Sequence, residues 1–283
     1  MSRRYQRLRQ IQTLDPGADH AEICRLITRY EFPWDYRVGF EMSVMTDLLV
    51  PSISQVLADS KGFSDDGQKR FDDTMLFEYE IKRSGADSEH GREAVRALNK
   101  IHRPFEITNE QFLFVLVSQT LSPIDWINTY GWRRLSEPEI AALVLAARRQ
   151  GELMGIQDIP ADYAGFHALR EKFYADQIEF APVNREVSHH VLNVIVRWAP
   201  KLAQPLMAPL VPIAIVALLD PRLPPVLGLT PAPRWIASVV RLGMRLRGRL
   251  LRLLPPRKDS RPYRPRPRSY PRGYTVHDFG HDH

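Results

Sequence analysis

Apolar residues recur every three or four positions along most of the chain, which is the spacing of an amphipathic helix, and alternating strand-like patterns are scarce. Turn residues and prolines divide this pattern into eight or so helices before residue 200. These helices are predicted over residues 19–30, 40–58 (interrupted or kinked at Pro51), 66–82, 88–102, 112–121, 136–154, 162–180 and 184–198. The pattern therefore predicts an all-α fold, a single globular multi-helix domain.

A turn at residues 84–87 joins two of these helices and determines which side chains face each other. It allows the helix over 66–82 to fold back antiparallel to the helix over 88–102. Arg70 and Thr74 are four residues apart and share one helix face, while His102 ends the facing helix. Such a pair can clasp a flat anionic cofactor, with imidazole on iron and arginine near a propionate. From composition alone His102 is better interpreted as a hydrogen-bonded core histidine, and Arg70 can equally form a surface ion pair.

The composition changes after residue 200, where 15 of the 23 prolines lie between Pro200 and Pro271. We therefore predict a helical domain over residues 1–200 and an extension over 201–283 that packs on the domain or trails from it. The apolar run Leu202–Leu219 is interrupted by three prolines, which favours a buried or membrane-resting segment over a membrane span. Residues 233–254 can form a helix with apolar residues on one side and arginines on the other, followed by an extended Arg/Pro segment.

The net charge of +6 is unevenly divided. Residues 234–273 carry 13 basic side chains and one acid, an excess of +12, so the rest of the chain carries −6. No nucleic-acid-binding motif accompanies the arginines, and no nucleic-acid partner is expected. A basic amphipathic helix suits an anionic membrane surface, so peripheral membrane contact through the tail is one interpretation and a solvated tail is the other.

The first residues are basic and lack an apolar stretch, so no secretory signal is expected and the predicted location is cytoplasmic or peripheral to a membrane. The single cysteine, Cys24, excludes a disulfide framework and a cysteine-rich metal cluster. Neither a Gly-rich phosphate loop nor a G-x-S-x-G or H-E-x-x-H motif is present.

Six short segments, taken in order, resemble one known family. They are KRFDDT at 69–74, RALNKIH at 96–102, ITNEQF at 107–112, YGWR at 130–133, MGIQDIP at 154–160 and YPRGY at 270–274. Over roughly residues 5–280 the chain resembles the catalytic domain of MpaB-type oxygenases and rubber oxygenases (latex-clearing proteins), and it is closer to the MpaB-type branch.

This resemblance implies an all-helical fold that encloses haem b and an oxygen-dependent cleavage of isoprenoid carbon–carbon double bonds. The proximal iron ligand of rubber oxygenases matches His102, and their Arg-x-x-Lys-Thr motif matches Arg70, Asp73 and Thr74. Asp73 replaces the lysine of that motif. An aspartate can accept a proton or bind water on the iron but cannot coordinate as an amine does, so rubber itself is not the expected substrate.

The expected function is therefore a haem b-dependent oxygenase that oxidises or cleaves a C=C bond of a lipophilic, isoprenoid-type substrate with O₂. His102 is the predicted metal ligand, Arg70 and Thr74 are predicted cofactor contacts, and Arg70 and Asp73 are the predicted catalytic residues. The alternative is a non-catalytic or non-haem helical protein that binds a lipophilic ligand at a membrane surface. A membrane-associated scaffold is a weaker third possibility.

Overall fold

The structure is a computed structural model that describes residues 3–280, and within that range all regular secondary structure is helical, as the hydrophobic pattern predicted. The α-helices are α1 Gln6–Ile11, α2 His20–Leu26, α3 Pro33–Asp47, α4 Pro51–Asp59, α5 Gly62–Ser84, α6 Glu89–His102, α7 Asn109–Tyr130, α8 Glu137–Leu153, α9 Tyr163–Asp176, α10 Pro182–Val196, α11 Gln204–Leu218, α12 Leu223–Val226 and α13 Arg234–Leu253. A π-helical turn, Ile27–Glu31, precedes α3.

Local sequence signals explain most of the helix ends. Thr108 and Gln111 form a capping box at the start of α7, and Ser136 and Glu139 form another at the start of α8. Pro51 begins α4, so the helix expected over 40–58 is two helices with a break before the proline. The apolar run predicted at 112–121 continues to the end of α7 because Pro123 is accommodated inside the helix.

The hairpin between α5 and α6 depends on two glycines. Gly85 ends α5 with φ of +80°, a conformation that side chains with a Cβ rarely adopt. Gly91, in the first turn of α6, lies so close to the preceding loop that a Cβ would be 2.0 Å from the carbonyl oxygen of Gly85. The Ser88 hydroxyl caps α6 by accepting from the Gly91 amide at 3.0 Å. These contacts bring the start of α6 tightly against the end of α5.

Three clusters of buried apolar residues form the core. The largest contains residues from Val44 to Leu229 and therefore includes side chains on both sides of residue 200. A second cluster joins the N-terminal helices to α7 and α8. The third packs Val276 and Phe279 onto α5 and α6. The division at residue 200 remains a prediction, although apolar contacts cross that position.

The segment after α13 follows the surface of the helical body. Its backbone pairs with the body where the Tyr263 amide donates to the carbonyl of Arg29 at 2.9 Å. Asp259 accepts from Arg7 at 2.6 Å. A last short helical turn, Val276–Asp278, places Val276 and Phe279 in buried positions. The aromatic residues near the C-terminus thus dock onto the body.

Candidate functional site

A cavity of about 540 Å³ lies among α3, α4, α5, α6 and the first half of α7. Its volume falls in the range of roughly 300–1,000 Å³ that is typical of small-molecule and cofactor sites. Its wall consists mainly of aliphatic and aromatic side chains, including Phe40, Phe63, Phe77 and Phe112. Polar side chains also line it, among them Asp47, Arg70, Asp73, Thr74, His102 and Gln119. All four residues predicted from the sequence to form the site are therefore on the wall of one cavity.

His102 is the last residue of α6, and its ring packs edge-on against Phe112 with centroids 5.3 Å apart. Its Nδ1 atom is buried and has no hydrogen-bond partner among residues 3–280. Burial, together with the nearby positive charge of Arg70, lowers the pKa of His102 to about 4. The imidazole is therefore neutral at physiological pH, which is the form that coordinates a metal.

Arg70 and Thr74 lie on the α5 face that borders the cavity. The Arg70 Nη1 atom donates to the Thr74 hydroxyl, which in turn donates to the backbone carbonyl of Arg70 at 3.0 Å. Burial lowers the pKa of Arg70, and the negative charges of Asp73 and Asp47 partly offset that effect. Within the part of the chain that is described, Arg70 forms no ion pair. Its guanidinium is thus a cation held in place inside the protein without a paired carboxylate.

Asp73 also borders the cavity, but its carboxylate is occupied by contacts with the C-terminal segment. One oxygen accepts from the Tyr270 hydroxyl at 2.5 Å. The other accepts from the Lys69 ammonium and from the Gly280 amide, both at 2.9 Å. Asp73 therefore anchors the segment 269–280, a role that the sequence pattern did not indicate. Its predicted catalytic role remains a prediction.

The C-terminal segment forms one wall of the cavity. Val276, Phe279 and Gly280 line it, and the ring of Phe279 packs edge-on against Phe77 with centroids 4.6 Å apart. The Tyr274 hydroxyl donates to Glu80 at 2.9 Å. Part of the site is therefore built from residues almost 200 positions after the helices that carry its polar groups.

Asp47 is a polar residue of the cavity that the sequence analysis missed. It ends α3, is buried, and accepts a hydrogen bond from the hydroxyl of Ser118. Burial raises the pKa of this carboxyl to about 7, although the Ser118 hydrogen bond and the Arg70 charge act in the opposite direction. The available signal was one acidic residue in the otherwise uncharged run from Met42 to Val50. Such a residue is either buried with a partner or turned to solvent, and the sequence does not distinguish these cases.

A buried polar network adjoins the cavity on the side of α8. Glu78 accepts from the hydroxyl of Tyr36, and Lys82 is 3.7 Å from Glu78 and donates to Gln150 at 3.4 Å. Glu78 and Gln150 both line the cavity. No group of three or more His, Cys, Asp or Glu side chains in residues 3–280 is arranged to hold a metal ion by itself. His102 is accordingly considered as a single protein ligand.

Fold and site together define a class: an all-helical protein with a largely apolar internal cavity, whose wall includes the neutral imidazole of His102 and the guanidinium of Arg70, which forms no ion pair among residues 3–280. Residues 36–250 match the model of the family described as ER-bound oxygenase mpaB/B′/Rubber oxygenase, catalytic domain. This chain belongs to that family.

Individual relatives are distant. The chain is similar to the ER-bound oxygenase mpaB′ of Penicillium brevicompactum, with 23% identity over 64% of this chain and 47% of that protein. It is 24% identical to the ER-bound oxygenase mpaB of Penicillium roqueforti over 72% of this chain and 78% of that protein. The match thus spans about half the length of the first relative and more of the second.

Proposed function

We propose that this protein is a haem b-dependent oxygenase that uses O₂ to oxidise or cleave a C=C bond of a lipophilic, isoprenoid-type substrate. The observation that carries the proposal is the buried Nδ1 atom of His102, which lies on the wall of a largely apolar cavity and has no hydrogen-bond partner in the described part of the chain. A buried polar atom without a partner is costly, and such an atom calls for an explanation such as a missing ligand. Membership of the oxygenase family supports this reading.

The residues of the cavity fit a haem. The porphyrin supplies four nitrogen ligands, so the protein needs to provide only one more, and the neutral imidazole of His102 is suited to that position. The guanidinium of Arg70 would bind a haem carboxylate, with Thr74 fixing its orientation. The aromatic and aliphatic wall would exclude water from the porphyrin faces and accommodate a lipophilic substrate.

When bound, the haem iron would supply the activation of O₂, and the protein would supply orientation and protons. Asp47 would hold a proton near the cavity at neutral pH, because burial keeps its carboxyl partly protonated. Arg70 would stabilise negative charge in the same space. In this scheme Asp73 would act as an acid or base only if a contact with the C-terminal segment were released, since both its oxygens are engaged.

The proposal includes contact with a membrane. A lipophilic substrate partitions into lipid, and the relatives named above are called ER-bound. The basic region after residue 233 would make this contact with an anionic lipid surface.

The visible spectrum of the purified protein, expressed with ample haem, tests the cofactor. We expect a Soret band that shifts on reduction and CO binding, and its loss in His102→Ala because that variant removes the iron ligand. His189→Ala is the matched control, since His189 is exposed on α10, and it should keep the band. A colourless wild-type protein, or a His102→Ala variant with an unchanged spectrum, would contradict the proposal.

The second candidate is a non-catalytic or non-haem helical protein that binds a lipophilic ligand. The position of Asp73 favours it, because the residue that replaces the lysine of rubber oxygenases is engaged by Tyr270, Lys69 and Gly280. Metal analysis separates the two candidates. Iron in stoichiometric ratio with porphyrin supports the oxygenase, and bare iron, zinc or no metal supports the ligand-binding protein.

A further inference from the structure

Helix α13 presents an apolar stripe to solvent along nearly its whole length. The stripe consists of Trp235, Val239, Leu242, Leu246, Leu250 and Leu253, which are between 51% and 81% exposed. Their spacing of four, three, four, four and three residues places them on one face of the helix. From first to last the stripe is about 27 Å long, at 1.5 Å per residue. A continuous exposed apolar face of this kind marks an interaction surface.

The other side of α13 is fixed to the body. Arg247 donates to Asp35 at 2.8 Å and stacks over the ring of Trp34 at 3.6 Å. Gly248 is buried against the backbone of Tyr130, where a Cβ would be 2.4 Å from the carbonyl oxygen. Leu251 packs against the second core cluster, whereas Trp235 and Val239 are exposed to solvent. These contacts fix the orientation of α13 on the body, so the stripe faces solvent.

The charge beside the stripe is entirely positive. Helix α13 contains no acidic residue, and Arg234, Arg245, Arg249 and Arg252 are exposed on it. By helical geometry these four arginines lie along one edge of the stripe. A partner that covers the stripe must offer apolar groups to the stripe and anionic groups to the arginines along its edge. This combination matches the boundary between the headgroups and acyl chains of an anionic bilayer.

Helix α11 adds a second apolar patch next to α13, to which it is joined by the hydrogen bond from Arg241 to the Ala217 carbonyl at 2.8 Å. Leu202, just before α11, and Leu206 and Leu210 are at least half exposed. In the described residues, one helical segment, Lys201–Leu218, is apolar and long enough to cross a membrane. However, α11 itself is about 22 Å long, shorter than the roughly 30 Å hydrocarbon core, and its end is buried against the body at Val216 and Ala217.

We propose that the α13 stripe is a docking surface for an anionic lipid bilayer, with α13 lying in the plane of the interface. A second copy of the chain is the rival occupant, since the spacing also suits helix–helix packing. Two copies would bring arginine edges together without an acidic partner on α13, which disfavours that arrangement. The inference builds on the proposed membrane contact and specifies its surface, its mode and its lipid charge, and it is independent of the haem.

Co-sedimentation of the full chain with vesicles tests this docking. We expect binding to phosphatidylcholine vesicles that contain phosphatidylserine, weaker binding to phosphatidylcholine alone, and release by high salt or alkaline carbonate. The double variant L242E/L246E should lower the affinity by roughly a hundredfold, because two exposed leucines no longer enter the lipid. The double variant Arg245→Gln, Arg249→Gln should lower the affinity for the anionic vesicles by roughly tenfold or more, and it should not change the affinity for phosphatidylcholine vesicles. Phe180→Glu, a change at another half-exposed apolar residue, is the control and should bind like wild type.

Quenching of tryptophan fluorescence by brominated lipids reports the direction of the helix. We expect quenching in the wild type and its loss in Trp235→Phe. Unchanged vesicle binding by L242E/L246E would overturn the proposal. Resistance of the bound protein to carbonate extraction would also overturn the proposal, because it indicates that α11 inserts into the bilayer. A dimer that forms without lipid and dissociates in the double variant would overturn it as well, because the stripe would then bind a second copy. The Soret band of L242E/L246E, measured in parallel, keeps the two proposals separate. If this variant loses vesicle binding and keeps its haem, the substitutions have affected only the docking surface. If the protein binds vesicles but holds no haem, only the proposed oxygenase function is contradicted.

Discussion

Asp47 carries a carboxyl group that its surroundings hold in the protonated form over a wide pH range. The residue is buried at the end of α3 and borders the cavity beside Arg70. In the unfolded chain its pKa has the ordinary value of 3.8, whereas burial raises the folded value to about 7. Between these values the unfolded state releases a proton that the folded state keeps. This group therefore lowers stability as the pH rises through that window.

Replacing Asp47 by asparagine should remove this pH dependence. We expect wild type to lose stability from about pH 4 to about pH 7 relative to Asp47→Asn, and the variant to be more stable at pH 8 by on the order of 2–4 kcal/mol. Urea unfolding at each pH measures the difference. Glu41, whose pKa burial also raises to about 7, is present in both proteins and cancels. Exposed Asp59→Asn controls for the loss of one charge. Parallel wild-type and Asp47→Asn profiles would contradict the burial argument.

At the scale of the element, the α5–α6 hairpin determines whether the predicted site can form. Arg70 and Thr74 are on one helix and His102 is on the other, so their distance depends on how closely the two helices approach. The turn permits that approach through the positive φ of Gly85 and the missing side chain of Gly91. The sequence indicated the turn but not how closely the two helices approach. A glycine in a sequence does not show whether another part of the backbone packs against it.

Alanine substitutions at two helical glycines separate contact from helix propensity. In Gly91→Ala the added methyl group meets the carbonyl of Gly85, so we expect a loss of about 1–3 kcal/mol of unfolding free energy. In Gly243→Ala the methyl group has no atom within 4 Å, and the gain in propensity should stabilise the protein by up to about 1 kcal/mol. Urea unfolding compares the two. Equal effects of both substitutions on the unfolding free energy would contradict the argument that close packing at Gly91 excludes a side chain.

At the scale of the whole molecule, the C-terminal segment closes the cavity and Asp73 holds it there. Removing the carboxylate in Asp73→Ala leaves the Tyr270 hydroxyl, the Lys69 ammonium and the Gly280 amide without their acceptor. We expect faster hydrogen–deuterium exchange of residues 269–280 and little change in α9 and α10. Asp65→Ala removes an exposed carboxylate from the same helix and should leave the exchange unchanged. Slow exchange of the segment in Asp73→Ala would contradict this role of Asp73, because the apolar contacts of Phe279 would then be enough to keep the segment docked.

The sequence by itself determined the helical class, most helix ends and four of the side chains that share the cavity, Arg70, Asp73, Thr74 and His102. Those features depend on local signals: three-to-four periodicity, capping boxes, prolines, and the order of short motifs. Tertiary structure alone decided that Asp47 faces the cavity, that Asp73 is engaged by a segment about 200 residues away, and that α13 turns the stripe from Trp235 to Leu253 outward. The reason is physical: a local pattern specifies which residues share a face of a helix, but only packing against distant parts of the chain decides which face is buried and which partners a charge finds there.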